Sequence, residues 1–131
     1  MKTILLLLLT ASIYSQNVSF SAGMSQNNAK LLKFGMIGQR TEVTVNYEKS
    51  SLYERFGFGV GSQFRHEKFM LIPMLEISTT SQRILDLGFS APIRYNYSKN
   101  LAVELQPNYQ LTEKKAKIFL NLIYKLPLKT N

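Results

Sequence analysis

The chain has no cysteine and no tryptophan, a single histidine, and charged side chains at only 18% of its 131 positions. Without thiols there are no disulfides, no thiolate zinc sites, no cysteine nucleophile and no lipid attached to a mature N-terminal cysteine. A charged fraction below the usual quarter, joined to a formal net charge of +8, argues against a disordered tail and against an ordinary cytosolic enzyme surface. The length allows one domain with one core. Long apolar runs are scarce too. The leading one, Ile4 to Leu9, falls well short of the roughly 20 residues that a membrane-spanning helix needs.

That run follows Lys2 and precedes Thr10, Ala11, Ser12, Ile13, Tyr14 and Ser15. A short charged region, a leucine-rich core and small residues before a polar stretch make a removable signal peptide. Cleavage after Ser15 assigns residues 1–15 to the leader and residues 16–131 to the mature domain. The loss of Lys2 lowers the formal charge only from +8 to +7, so the basicity belongs to the mature chain.

What fills the mature chain is a period of two. Val18, Phe20, Ala22 and Met24 alternate with Ser19, Ser21, Gly23 and Ser25; Val43, Val45 and Tyr47 alternate with Glu42, Thr44, Asn46 and Glu48. The pattern returns over Phe56 to Phe64, runs longest over Leu85 to Tyr97, and comes again over Leu101 to Leu111. Such alternation marks strands with one apolar face. Phe69 to Thr79 is apolar on both faces in its first half, and Ile118 to Leu126 carries Phe119 and Ile123 on its nominally polar side. Polar clusters of hairpin length separate the runs, and Asn28 to Leu32 reads as the end of a turn. No connection is long enough for a crossover helix. The fold class is therefore all-β: an antiparallel up-and-down meander of about eight strands.

Such a meander closes with its apolar face inward, as a soluble barrel or sandwich binding an apolar ligand, or outward, as a transmembrane β-barrel. The polar face favours the second. Gly57, Gly59 and Gly61 occupy it in succession, and glycine weakens a solvated strand without return. In a narrow lumen the same glycines leave room for long side chains, and Glu42, Arg65, Asp86, Arg94 and Glu104 are the candidates for a charge network that replaces an oily core. Tyr47, Tyr95, Tyr97, Tyr109 and Tyr124 lie on the apolar face near strand ends, where aromatic girdles meet the membrane interface. Pro73, Pro92 and Pro107 sit awkwardly in a closed barrel, because each removes a ladder donor. They are expected at bulges, at rims or on the edges of a sandwich.

The chemical inventory is otherwise thin. His66 stands in a turn beside Arg65, Glu67 and Lys68 with no nucleophile and acid converging on it, and Ser62 nearby does not complete a triad. The alternating glycines are not a phosphate loop, since no helix follows them. No catalytic, cofactor or metal site is expected. Lysines and arginines are scattered over turns rather than gathered with stacking aromatics, which argues against nucleic acid. Basic turns suit anionic headgroups and lipopolysaccharide phosphates instead.

Two segments carry a resemblance. Arg94 to Tyr109 (RYNYSKNLAVELQPNY) resembles a recurrent hairpin of small Gram-negative outer-membrane barrels, including the PorT-like family: an aromatic-rich strand, a short periplasmic turn and an alternating strand. Lys117 to Tyr124 (KIFLNLIY) is similar to the final-strand signal read by the barrel-assembly machinery, although Phe119 stands where glycine is usual and residues 125–131 follow the aromatic. The resemblance implies an outer-membrane location, lipid and lipopolysaccharide neighbours, the assembly machinery as a partner during insertion, and a non-enzymatic structural or interaction role with a protein partner still to be identified.

Overall fold

The computed structural model describes residues 2, 3, 6, 17–26, 28–51, 53–80, 85–111 and 114–127. The cleavage point at Ser15 and most of the leader lie outside the described residues.

The alternating runs form β1 (Asn17–Ser25), β2 (Lys30–Ile37), β3 (Thr41–Lys49), β4 (Glu54–Ser62), β5 (Phe64–His66), β6 (Phe69–Leu71), β7 (Met74–Thr80), β8 (Leu85–Ser90), β9 (Ile93–Asn96), β10 (Leu101–Gln110) and β11 (Lys115–Pro127). β4 with β5, β6 with β7, and β8 with β9 are single strands interrupted by one or two residues, so the segments make eight strands. Each pairs antiparallel with its sequence neighbour, and β11 returns to pair with β1 from Asn17↔Pro127 to Ser25↔Phe119. The sheet is a closed barrel. Residues 30–32, expected at the end of a turn, belong to β2.

The register fixes its shape. From Asn17, successive partners lead through Ile37, Glu42, Gly61, Met74, Ser90 and Asn108 to Lys117. Lys117 lies two residues beyond Phe119, the partner of Ser25, so the circuit arrives ten residues further along β1 than it began. With a rise of about 3.3 Å and a strand spacing of about 4.8 Å, that stagger tilts eight strands by about 40° and sets a backbone radius near ~8 Å. Side chains alone can fill such a bore. The even strand number puts both termini at one end, with the β2–β3, β5–β6 and β9–β10 turns; we call this the terminal end and the other the far end.

The prolines are accommodated without bulges. Gly61↔Met74 and Phe64↔Leu71 share one register, as do Met74↔Ser90 with Leu71↔Ile93, and Asn108↔Ser90 with Leu105↔Ile93. Pro73 and Pro92 fall in the short lapses, where their carbonyls still accept from the Ser62 N–H (3.2 Å) and the Ile72 N–H (2.9 Å). The Pro107 carbonyl accepts from the Ala91 N–H at 3.1 Å. A residue's N–H and C=O point to the same side of an antiparallel strand, so the donor that Pro107 lacks faces the lapse at Ala91 and Pro92. By the same rule Pro73 faces Ser62 and Pro92 faces Ile72, so each missing donor falls against a different neighbour without a register shift, and the expectation of bulges or sandwich edges is corrected.

Burial follows the alternation with the usual sense inverted. Phe20, Phe56, Leu75, Ile77, Leu87, Phe89, Leu120 and Leu122 are exposed, whereas Glu42, Asn46, Glu48, Arg55, Arg94, Glu104, Gln106 and Asn121 are buried. The soluble arrangement with apolar residues inward is overturned. The lumen is not polar throughout, however. Ala29, Leu31 and Phe119 cluster inside the far end, and Met70, Ile72 and Met74 cluster towards the terminal end, where Ile37, Ala102 and Ile123 are buried as well. Small apolar clusters thus sit among the polar side chains near both ends of the lumen, which explains why the Phe69 run is apolar on both faces and why Phe119 and Ile123 break the pattern of β11.

Candidate functional site: the lumen charge network

Inward positions of seven of the eight strands supply the charges, Glu76 on β7 among them, and the stagger decides which of them meet. Arg94 on β9 is paired in register with Glu104 on β10. Its Nε and Nη2 donate to Glu104 Oε2 at 3.0 and 2.8 Å, and Nη2 also donates across the lumen to Glu42 Oε1 on β3 at 2.8 Å. The side chains of Arg94, Glu104 and Glu42 are 2%, 0% and 1% exposed, so this trio is fully withdrawn from water. Glu104 Oε1 receives Lys33 Nζ from β2 at 2.5 Å and Asn121 Nδ2 from β11 at 3.0 Å. Gln106 joins through its Oε1, which accepts from Lys33 (2.7 Å) and Asn121 (2.8 Å), and its Nε2, which donates to Asn108 (2.9 Å). Buried ions persist when partners satisfy them on several sides, and Glu104 meets that condition with three.

A second group occupies the far end. Glu48 on β3 faces Arg55, its register partner on β4, at 3.5 Å, and receives Lys117 Nζ from β11 at 2.9 Å. The Tyr53 hydroxyl donates to Glu48 Oε2 at 2.8 Å, and the Tyr53 ring lies 4.7 Å from the Arg55 guanidinium and 4.4 Å from Lys117 Nζ. Arg55 also approaches Asp86 on β8 at 3.8 Å. Cation–π contact and ion pairing converge on one tyrosine. Lys33 to Glu104, Arg94 to Glu42 and Lys117 to Glu48 each join strands three places apart, so they act as struts across the bore.

The inward glycines make room for this traffic. A Cβ on Gly57 would stand 2.5 Å from Asn46 Oδ1 and 2.8 Å from Glu76 Oε1, side chains of the two flanking strands. A Cβ on Gly23 would collide with the Asn121 amide. The space freed is taken by polar side chains of the laterally neighbouring strands.

Of the five lumen candidates, Glu42, Asp86, Arg94 and Glu104 are buried inside, and the first, third and fourth are joined directly. Arg65 is not among them. It lies on the exposed β5, in register with Met70, past the point where the Gln63 N–H bonds the Arg40 carbonyl at 2.8 Å. Its parity is inward, but its height is that of the mouth, so water solvates it. Lys33, Glu48, Arg55, Lys117, Asn121 and Tyr53 were not among the expected lumen residues. Arg55 shares the parity of Gly57, Gly59 and Gly61, and that signal would have found it.

The five tyrosines expected at the girdles point outward and divide between the two ends. Tyr47 and Tyr109 lie towards the far end, Tyr47 against Phe56 at 4.9 Å between ring centres. Tyr95, Tyr97 and Tyr124 lie towards the terminal end, Tyr95 against Phe69 at 5.1 Å. His66 is the exposed last residue of β5.

No protein-family model and no curated protein matches the chain. Solved structures do match. A de novo designed transmembrane β-barrel superposes with a TM-score of 0.67 at 14% identity, over 86% of this chain and 96% of that one. The N-terminal β-barrel domain of OprF from Pseudomonas aeruginosa gives 0.66 at 10% identity, over 86% and 98%. Ail from Yersinia pestis, solved in a phospholipid bilayer nanodisc, gives 0.62 at 15% identity, over 86% and 100%. Identities this low show the fold, an eight-stranded antiparallel barrel of the outer-membrane type, and do not single out the PorT-like family.

Proposed function

We propose that the chain is a small outer-membrane β-barrel with a structural or interaction role and no catalytic activity, exported by a leader cleaved near Ser15. The observation that carries this reading is the inverted burial: apolar side chains clothe the outer wall while ion pairs are sealed inside. A nine-residue strand tilted by about 40° rises ~23 Å, close to the apolar band of about 25 Å on such barrels. The two tyrosine rims bracket that band. Lys33, Arg55, Arg94 and Lys117 are engaged with Glu42, Glu48, Asp86 and Glu104, which suits a strut. In this reading the outer wall meets membrane lipids and lipopolysaccharide, the assembly machinery reads β11 during insertion, and any protein partner meets the barrel at its ends.

Cell fractionation tests the proposal. The protein should be recovered from the detergent-solubilised outer membrane and run at different gel mobilities before and after boiling. Release by osmotic shock as a soluble protein, with one mobility, would overturn it.

A further inference from the structure

The outward positions of the barrel strands are apolar or neutral almost everywhere, and the exceptions gather at one place. Among the described residues, Lys30, Lys49 and Glu54 are the only Lys, Arg, Asp or Glu side chains at outward positions of β1 to β4, β6 to β10 and β11 from residue 116 onward. They stand side by side on β2, β3 and β4 at the far end, with Lys30↔Lys49 and Lys49↔Glu54 as register partners. Glu54 has a partner of its own. Lys30 and Lys49 are both exposed and ion-pair with no described residue. Like charges placed directly opposite on one sheet face repel each other; Glu54 flanks Lys49 on one side only, so the row of three keeps one net positive charge that a further anion beside Lys30 and Lys49 complements.

An apolar hollow begins one register step below. Leu32 and Tyr47, the next outward partners, belong to the lining of a surface cleft of about 610 Å³ that continues over Phe20, Phe34 and Val45. Its floor includes Ala22, a small side chain set between Leu32 on one neighbouring strand and Leu122 on the other. That volume falls among small-ligand clefts of roughly 300–1,000 Å³. A twin cation above an elongated apolar trough complements an anion attached to a hydrocarbon chain.

We propose that this face holds one anionic, phosphate-bearing lipid of the leaflet at the far end, its phosphate between Lys30 and Lys49 and an acyl chain lying over Ala22. The site rests on the reading that the outer wall faces lipid, and it adds to that reading a defined place and headgroup chemistry. Snorkelling lysines alone would reach the interface without preferring one lipid or using the hollow.

Native mass spectrometry of the folded barrel in non-ionic detergent tests it, with phosphatidylglycerol and phosphatidylcholine of identical acyl chains as probes. A one-to-one phosphatidylglycerol adduct is expected at a concentration at least tenfold below that needed for phosphatidylcholine. The Lys30→Gln/Lys49→Gln variant should lose the preference, and Ala22→Phe should weaken both adducts. Equal binding of the two lipids by the parent, retention of the preference by the double variant, indifference to Ala22→Phe, or displacement of the lipid by millimolar inorganic phosphate would each overturn the site. Gel mobility with and without boiling is read on every sample. A parent that shows one mobility refutes the barrel reading itself, which separates that failure from failure of the site.

Discussion

Arg94→Leu is the sharpest probe of the lumen. The substitution removes three hydrogen bonds, at 2.8, 2.8 and 3.0 Å, from two carboxylates that are no more than 1% exposed. The two acceptors fare differently. Glu104 keeps Lys33 and Asn121, whereas Glu42 loses its Arg94 partner on Oε1 while its Oε2 already has no hydrogen-bond partner. Stranding one member of a buried pair destabilises by about 3–5 kcal/mol, and nearly all of that should arise at Glu42. Arg94→Lys keeps the charge but loses the fork that spans both carboxylates, and should fall about 1–2 kcal/mol below the parent. If Glu42 is the origin, Glu42→Leu in the same chain removes the stranded charge, and the double variant should recover more than about 1.5 kcal/mol relative to additive losses. The assay is urea unfolding of the barrel refolded into lipid vesicles, followed by far-ultraviolet circular dichroism and by the fraction of unboiled protein with folded gel mobility. Circular dichroism is the suitable probe because the chain has no tryptophan. A loss under about 0.5 kcal/mol for Arg94→Leu, or strict additivity with Glu42→Leu, would refute the strut.

The same measurement checks two further expectations. Gly57→Val places carbon where Asn46 and Glu76 oxygens lie 2.5 and 2.8 Å from the Cβ position; overpacking of this kind costs about 1–3 kcal/mol, and a neutral result would mean that the inward glycines are not there for space. On the outer wall, Leu122→Arg near the middle of β11 should cost about 2–4 kcal/mol in a bilayer, and Leu126→Arg near its end no more than about 1. Leu122 is 62% exposed, so in water its replacement by arginine would be harmless, and equal small effects at both positions would refute a lipid-facing wall.

The faces of the strands were legible because parity is local: every second residue shares a side, whatever the strand pairs with. Heights and partners across the bore were not, because they depend on a stagger of ten residues that accumulates around the whole circuit. Arg65 illustrates the difference. Its parity is inward like that of Gly61, but two further steps along the strand carry it past the β2–β3 turn and into the mouth. Leu31 illustrates another limit. Adjacent to Leu32, it breaks the alternation and reads as a turn, yet it is buried against Ala29 and Phe119 as the inward cap of the far end. The prolines misled for a related reason. Each alone predicts a bulge or an edge, and only the unbroken register across Pro73, Pro92 and Pro107 shows that a missing donor is absorbed without one.

The seam between β1 and β11 bears on how the chain can be made. Its nine register pairs join the first of the described strands to the last, so the contacts that close the cylinder span nearly the whole described barrel in sequence. Synthesis from the N-terminus leaves the outer edge of β1 without a partner until β11 exists. An open edge cannot rest in hydrocarbon, where each unpaired N–H and C=O forfeits several kcal/mol. If the wall faces lipid as proposed, a truncated chain that lacks β11 keeps this edge open in the bilayer, and closure of the cylinder waits until the last described strand meets the first.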